Sequence, residues 1–186
     1  MDLTPFKLDI DELIGDFSKS NSRTLVDMKK IWLSRKFSFI YEGRPTTNVN
    51  VFMQSIYAHS IGYMVSTSSL SQRLGGLYCL YCLYETQPFK PPFRVYISLG
   101  ELERLKILAI DAKKEYIKVA PALIKKMLDA NLFLFGSVEI NESSVAHREN
   151  EFEKMNKARL KAAYQKITSD ASANTFIHMD LVSRIS

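Results

Sequence analysis

The stretch Gln72–Leu99, QRLGGLYCLYCLYETQPFKPPFRVYISL, decides how the rest of the chain folds. Its first half carries a Gly75-Gly76 pair and tyrosines at 78, 81 and 84. Leu74, Leu77, Tyr78, Leu80, Tyr81, Leu83 and Tyr84 leave little polar surface, and a helix apolar most of the way round is buried among several neighbours. The pattern predicts a central helix over about 70–86, capped by Ser69 or Ser71. Each glycine costs a helix interior about 1 kcal/mol relative to alanine. Close approach of another helix is the expected compensation. A phosphate-cradling loop is the functional alternative, and it fails because no strand precedes Gly75 and no Gly-Lys-Ser/Thr follows. Pro88, Pro91 and Pro92 then set an extended elbow, and Phe93–Ile97 resumes as a β-prone run lying flat against the core.

Cys79 and Cys82 stand inside the apolar run. At i, i+3 on a helix their geometry is poor for a disulfide, and one Cys-x-x-Cys without a second ligand pair is a weak zinc signal. They read as small core hydrophobes.

Upstream, residues 9–19 read as a short helix capped by Asp9, with Asp11 and Glu12 in its first turn, where the helix dipole favours negative charge. Thr24 opens a second helix with Asp27 in the capping-box position and Leu25, Met28, Ile31 and Trp32 on one face. Phe37–Tyr41 alternates like a strand, but Gly43 and Pro45 cut it short, so it reads as a last helical turn. A third helix spans 48–65. Downstream, Ser98 with Glu101 opens a fifth helix running to about Val119, and Pro121 suits the first turn of a sixth. Leu132–Phe135 continues the apolar surface up to Gly136. Residues 136–147 form a polar loop, 148–167 a charged helix, and the remainder a Ser/Asp/Asn-rich tail.

The expected fold is therefore mainly α: a compact bundle or stack of six to seven helices with at most one or two short strands. The helices follow one another too closely for a parallel βαβ sheet. Residues 1–167 form the helical domain, and 168–186 a C-terminal extension that packs on a partner.

The chain has 186 residues, 46% of them hydrophobic and 24% charged, enough for one domain whose core needs neither disulfide nor metal. The net charge is +5 and the pI about 9.1, a mild lean towards a polyanionic partner. No apolar run reaches the ~18 residues that span a bilayer, and the opening MDLTPFKLDIDE lacks the features of a signal peptide; a reducing intracellular compartment is expected.

No catalytic constellation is visible. His59, His147 and His178 are scattered, without metal-ligand spacing or a nucleophile elbow, and a lone helical histidine is far more often structural. Asp111 and Glu115 amid lysines read as ordinary i, i+4 pairing. No enzyme, cofactor or metal is expected.

Binding is better supported. RKFSFIYEGRPTTN interleaves Arg35, Lys36 and Arg44 with Phe37, Phe39 and Tyr41, a mixture suited to nucleic-acid phosphates. Aromatics turned inward and cations outward, with no ligand, explain the same pattern. Near the C-terminus, Phe152, Met155, Leu160 and Tyr164 form a narrow stripe on a basic helix, and Phe176, Ile177 and Leu181 a final apolar patch. The helix suits a partner helix or phosphates.

KIWLSRKFSFIYEGR, then GGLYCLYCLYETQ followed by a proline-containing FRVYISL, together with the order of the later helices, resemble the family of subunit 1 of the small nuclear RNA-activating protein complex. The resemblance spans the chain from the first helix to about Leu181. It implies a non-enzymatic nuclear subunit that joins subunits 3 and 4 of a complex binding the proximal sequence element of snRNA gene promoters, for transcription by RNA polymerases II and III. TATA-binding protein is a further candidate partner. Base recognition would lie mainly in the partners, and Arg35, Lys36 and Arg44 would meet promoter phosphates. The competing class is a helical adaptor outside transcription, binding peptides or acidic lipids. A corollary is poor solubility of the isolated chain, whose connector near Phe89 and Phe93 and tail near Phe176 need cover.

Overall fold

The computed structural model of the chain describes residues 2–135. At its centre is the Tyr-rich helix, α4 (Leu70–Thr86), buried from Leu74 to Leu83 without interruption. Around it stand α1 (Thr4–Lys19), α2 (Leu25–Ser34), α3 (Val49–Val65), α5 (Leu99–Lys114) and α6 (Val119–Asp129). All five pack on α4. A 3-10 turn, Phe37–Tyr41, links α2 to α3, and two short strands, β1 (Val95–Ile97) and β2 (Phe133–Phe135), complete the described residues. The fold is mainly α, as the pattern predicts.

The two glycines seat two different helices. A Cβ on Gly75 would lie 3.0 Å from Ile14 Cγ2 and 3.2 Å from Phe17 Cδ1, both on α1. A Cβ on Gly76 would meet α3 backbone: Met64 N and Ser60 O, each at 2.7 Å. The notch is real, and it serves α1 on one side and α3 on the other. The tyrosines that fill the core aim their hydroxyls at backbone carbonyls, as buried phenols must. Tyr78 donates to Arg23 O (3.0 Å), Tyr57 to Phe93 O (3.3 Å) and Tyr41 to Leu83 O. Burial raises the pKa of all three. Cys79 and Cys82 are buried free thiols.

The caps predicted at Thr24, Ser69 and Ser98 are present. Thr24 Oγ1 accepts from Asp27 N, Ser69 Oγ from Gln72 N, and Ser98 with Glu101 closes a full capping box. The first helix differs from expectation. It begins at Thr4, because Pro5 suits a first turn and the Asp2 carboxylate accepts the Thr4 N–H at 2.9 Å. Asp9, Asp11 and Glu12 therefore lie within the helix and do not cap it. The fifth helix stops at Lys114, short of Val119. Tyr116 takes a left-handed φ of 59°, Ile117 N bonds Ala112 O (2.8 Å) and Tyr116 N bonds Lys113 O (2.9 Å). That is a Schellman ending without glycine. Asn131 (φ 51°) ends α6 in the same way and turns Leu132 into β2.

The exclusion of a parallel ladder is overturned. β1 pairs with β2 in parallel, Val95 opposite Phe133 and Ile97 opposite Phe135. Two helices, α5 and α6, together form the crossover that parallel strands require, and Phe133–Phe135 of the apolar run supplies the second strand. The far edge of β1 is closed by Gln54 of α3, which donates to Arg94 O (2.7 Å) and accepts from Tyr96 N (3.2 Å).

The elbow is held by Gln87, whose amide donates to Tyr84 O and Phe93 O and accepts from Phe93 N (2.7 Å). Phe89 stacks edge-on to Phe93 and Tyr41, at centroid distances of 5.0 and 6.4 Å. The Phe89 and Phe93 rings are half-buried against the chain's own core, so the connector has part of its expected cover within the chain. The expected polar loop at 136–147, the helix at 148–167 and the tail lie outside the described residues.

Candidate nucleic-acid interface

The basic-aromatic segment folds by the three-residue period of its 3-10 turn. Phe37 and Ile40, three apart, point inward with Tyr41. Phe39 points outward, 64% exposed. Trp32 of α2 packs against Phe37, ring centroids 4.6 Å apart, which anchors the turn to the core. Lys36 sits at the junction in a left-handed conformation (φ 48°), and its carbonyl accepts Phe39 N–H at 3.0 Å.

The three candidate cations are held differently. Arg35 turns back to α1, bonding Glu12 (3.0 Å) and Asp16 (Nε to Oδ2, 2.8 Å). Hydrogen bonds to Glu12 and Asp16, the largest causes, raise its pKa. Arg44 donates to Tyr41 O and lies over the Phe89 ring, 5.4 Å from its centroid, so it ties the turn to the elbow. Lys36 is exposed, with no ion-pair partner among the described residues. Lys36 and Phe39 thus offer the unengaged cation and aromatic ring of the segment. Phe39 is the residue that the interleaved pattern did not single out; the 3-10 period, which sets it opposite Phe37 and Ile40, is the signal that finds it.

Two other readings change. His59 is accompanied after all: its Nε2 pairs with Asp11 Oδ1, to which Tyr63 Oη also donates (2.8 Å). Burial and the Asp11 bond push Tyr63 up to about 12. The cluster ties α1 to α3. Asp111 and Glu115 reach across the fold as well, to Arg73 of α4 (2.8 Å) and Arg23 (2.9 Å). Asp111 also makes a local contact, to Lys114 (3.8 Å). Among the described residues no group of three or more His, Cys, Asp or Glu is placed to hold a metal, and no helix is long and apolar enough to cross a membrane. Phe152, Met155, Leu160, Tyr164, Phe176, Ile177 and Leu181 lie outside the described residues.

A family model described as "Small nuclear RNA activating complex (SNAPc), subunit 1" matches residues 6–185. The chain belongs to this family. Among relatives, the snRNA-activating protein complex subunit 1 of Homo sapiens is 28% identical over 98 residues, 52% of this chain and 27% of the human protein. The same-named protein of Mus musculus is 28% identical over 98 residues, 52% of this chain and 25% of its own length. That of Macaca fascicularis is 26% identical over an equal span. The matched stretch thus spans about a quarter of the length of these curated relatives. The SNAPc subunit 1 match takes in the basic turn, the glycine notch and the elbow alike.

Proposed function

We propose that this chain is a non-enzymatic scaffold subunit of an snRNA-activating complex. The complex binds the proximal sequence element of snRNA gene promoters in the nucleus and serves transcription by RNA polymerases II and III. The family match over residues 6–185 is the observation that carries this reading. It favours a transcription subunit over a peptide- or lipid-binding adaptor. The chain bridges subunits 3 and 4 of the complex, with TATA-binding protein as a further partner. Within it, 1–167 act as the helical domain and 168–186 as a partner-bound extension. The stripe Phe152, Met155, Leu160 and Tyr164 and the patch Phe176, Ile177 and Leu181 supply apolar contacts to other subunits.

Promoter contact in this chain is to phosphates, through the turn at Lys36. Lys36 is the first choice because its charge is uncompensated, and Phe39 stands beside it as a stacking surface. Arg44 contributes from the elbow side. Arg35 reaches a phosphate only by giving up Glu12 or Asp16, so its share is smaller.

The test is reconstitution of the full chain with subunits 3 and 4, followed by gel-shift titrations of a promoter duplex from low to high salt. The reading expects a ternary complex that shifts the duplex. A chain that stays apart from both subunits and binds anionic vesicles instead overturns it.

A further inference from the structure

α2 and α6 both pack on α4, and each brings a lysine to Tyr81. Lys29 of α2 brings its Nζ to 6.0 Å from the Tyr81 ring centroid. Lys126 of α6 brings its own to 5.1 Å and donates to the phenol oxygen at 2.7 Å. Glu85, 4.0 Å from Lys126, is the one carboxylate within ion-pair reach of either lysine among the described residues. The pair therefore leaves a net positive charge over a nearly buried aromatic ring.

The flanks are apolar. On α2, Val26, Lys29 and Leu33 share one stripe at i, i+3 and i+7, and Val26 is 62% and Leu33 74% exposed. On α6, Val119, Ala122 and Lys126 repeat the same spacing, all three exposed. Each helix thus presents aliphatic side chains and one lysine beside Tyr81. None of these residues belongs to the basic turn described above.

We propose that this groove over Tyr81 docks an amphipathic helix of a fellow subunit, one with an aliphatic stripe flanked by carboxylates. The inference rests on the reading of the chain as a complex subunit. Charge complementarity names the occupant: two lysines against one glutamate call for added acid. The aliphatics name its form. A phosphate backbone would bury Leu33 and Val26 against nothing that rewards their desolvation, whereas a helix laid in a groove uses both. Lysines suit the rim, because their stems lie along apolar surface while the ammonium reaches a carboxylate.

The test uses the full chain assembled with subunits 3 and 4. Leu33→Asp and Lys29→Glu alter exposed positions, and thermal melts of the free chain check that the fold is intact. The proposal expects Leu33→Asp to weaken assembly tenfold or more and Lys29→Glu severalfold, with melting unchanged. A photo-crosslinker in place of Leu33 then captures an acidic, helix-forming segment of another subunit. If the parent chain assembles and both variants assemble equally well, the groove proposal is wrong and the subunit reading stands. If the variants assemble normally and lose only DNA affinity, the groove is a phosphate surface and the proposal is again wrong. If the parent chain itself fails to assemble, the subunit reading falls and the groove falls with it.

Discussion

Gly76 of α4 lies so close to Ser60 of α3 that a Cβ at position 76 would stand 2.7 Å from the Ser60 carbonyl oxygen. Backbone cannot swing aside as a side chain can, so this contact fixes the separation of the two central helices. Gly76→Ala is expected to destabilise the chain by about 3 kcal/mol, at the upper end of ordinary overpacking costs. Gly62→Ala, in the interior of α3 and with nothing within 4 Å of the added methyl, should be neutral or stabilising by up to ~1 kcal/mol through helix propensity. Chemical denaturation of both variants checks this. Equal effects would mean that the notch is not the seat of α3.

Cys79 and Cys82 are buried, and burial pushes each thiol up to about 12. The thiolate is the reactive form, so both are expected to be inert at pH 8 in the folded chain. Reaction with a thiol reagent should follow the unfolded fraction across a denaturant series. A rapid phase worth one thiol in native buffer would show an exposed cysteine.

Asp27 accepts from Thr24 Oγ1 (2.6 Å), Ser22 Oγ (2.7 Å) and Lys30 Nζ (3.1 Å). These bonds, Thr24 first, hold its carboxyl at about 2, below the ordinary 3.8. A depressed folded-state pKa gives stability that is complete above about 3.8 and fades as pH falls through about 2. The difference in melting temperature between the parent and Asp27→Ala should therefore be largest from pH 5 upward and shrink towards pH 2. A difference constant over that range would contradict the assignment.

The cations of the basic turn separate by their partners. Lys36→Ala should leave the melting temperature unchanged and lower the salt slope of promoter binding by about one unit, as the loss of one phosphate contact does. Arg35→Ala, which releases Glu12 and Asp16 near the surface, should cost about 1 kcal/mol of stability and alter the slope less. Gel shifts across salt, paired with melts, read both quantities. An unchanged slope in Lys36→Ala removes it from the interface.

The centre of the fold was legible because one signal sufficed there. An all-round apolar helix with two glycines has to be buried and closely approached, and Gly75 and Gly76 are. Local caps at Thr24 and Ser98 were legible for the same reason: each needs only residues three apart. What escaped the sequence depended on distant pairing. Asp11 reads in sequence as a first-turn acid favoured by the helix dipole, and α3 brings His59 and Tyr63 to it. Asp111 and Glu115 looked like local pairs until Arg73 and Arg23 reached them. β2 is three residues long, too short to show alternation, and it exists because Asn131 turns the chain beside β1. In the basic turn, composition marked Arg35, Lys36 and Arg44 alike. Only the partners around each one separate the compensated Arg35 from the open Lys36.

The scaffold claim is tested most directly by capture of subunit 3 on immobilised subunit 4, with and without the full chain. The account predicts that subunit 3 is retained only when this chain is present, at one copy of each. Equal retention in its absence would contradict the claim that this chain bridges the two.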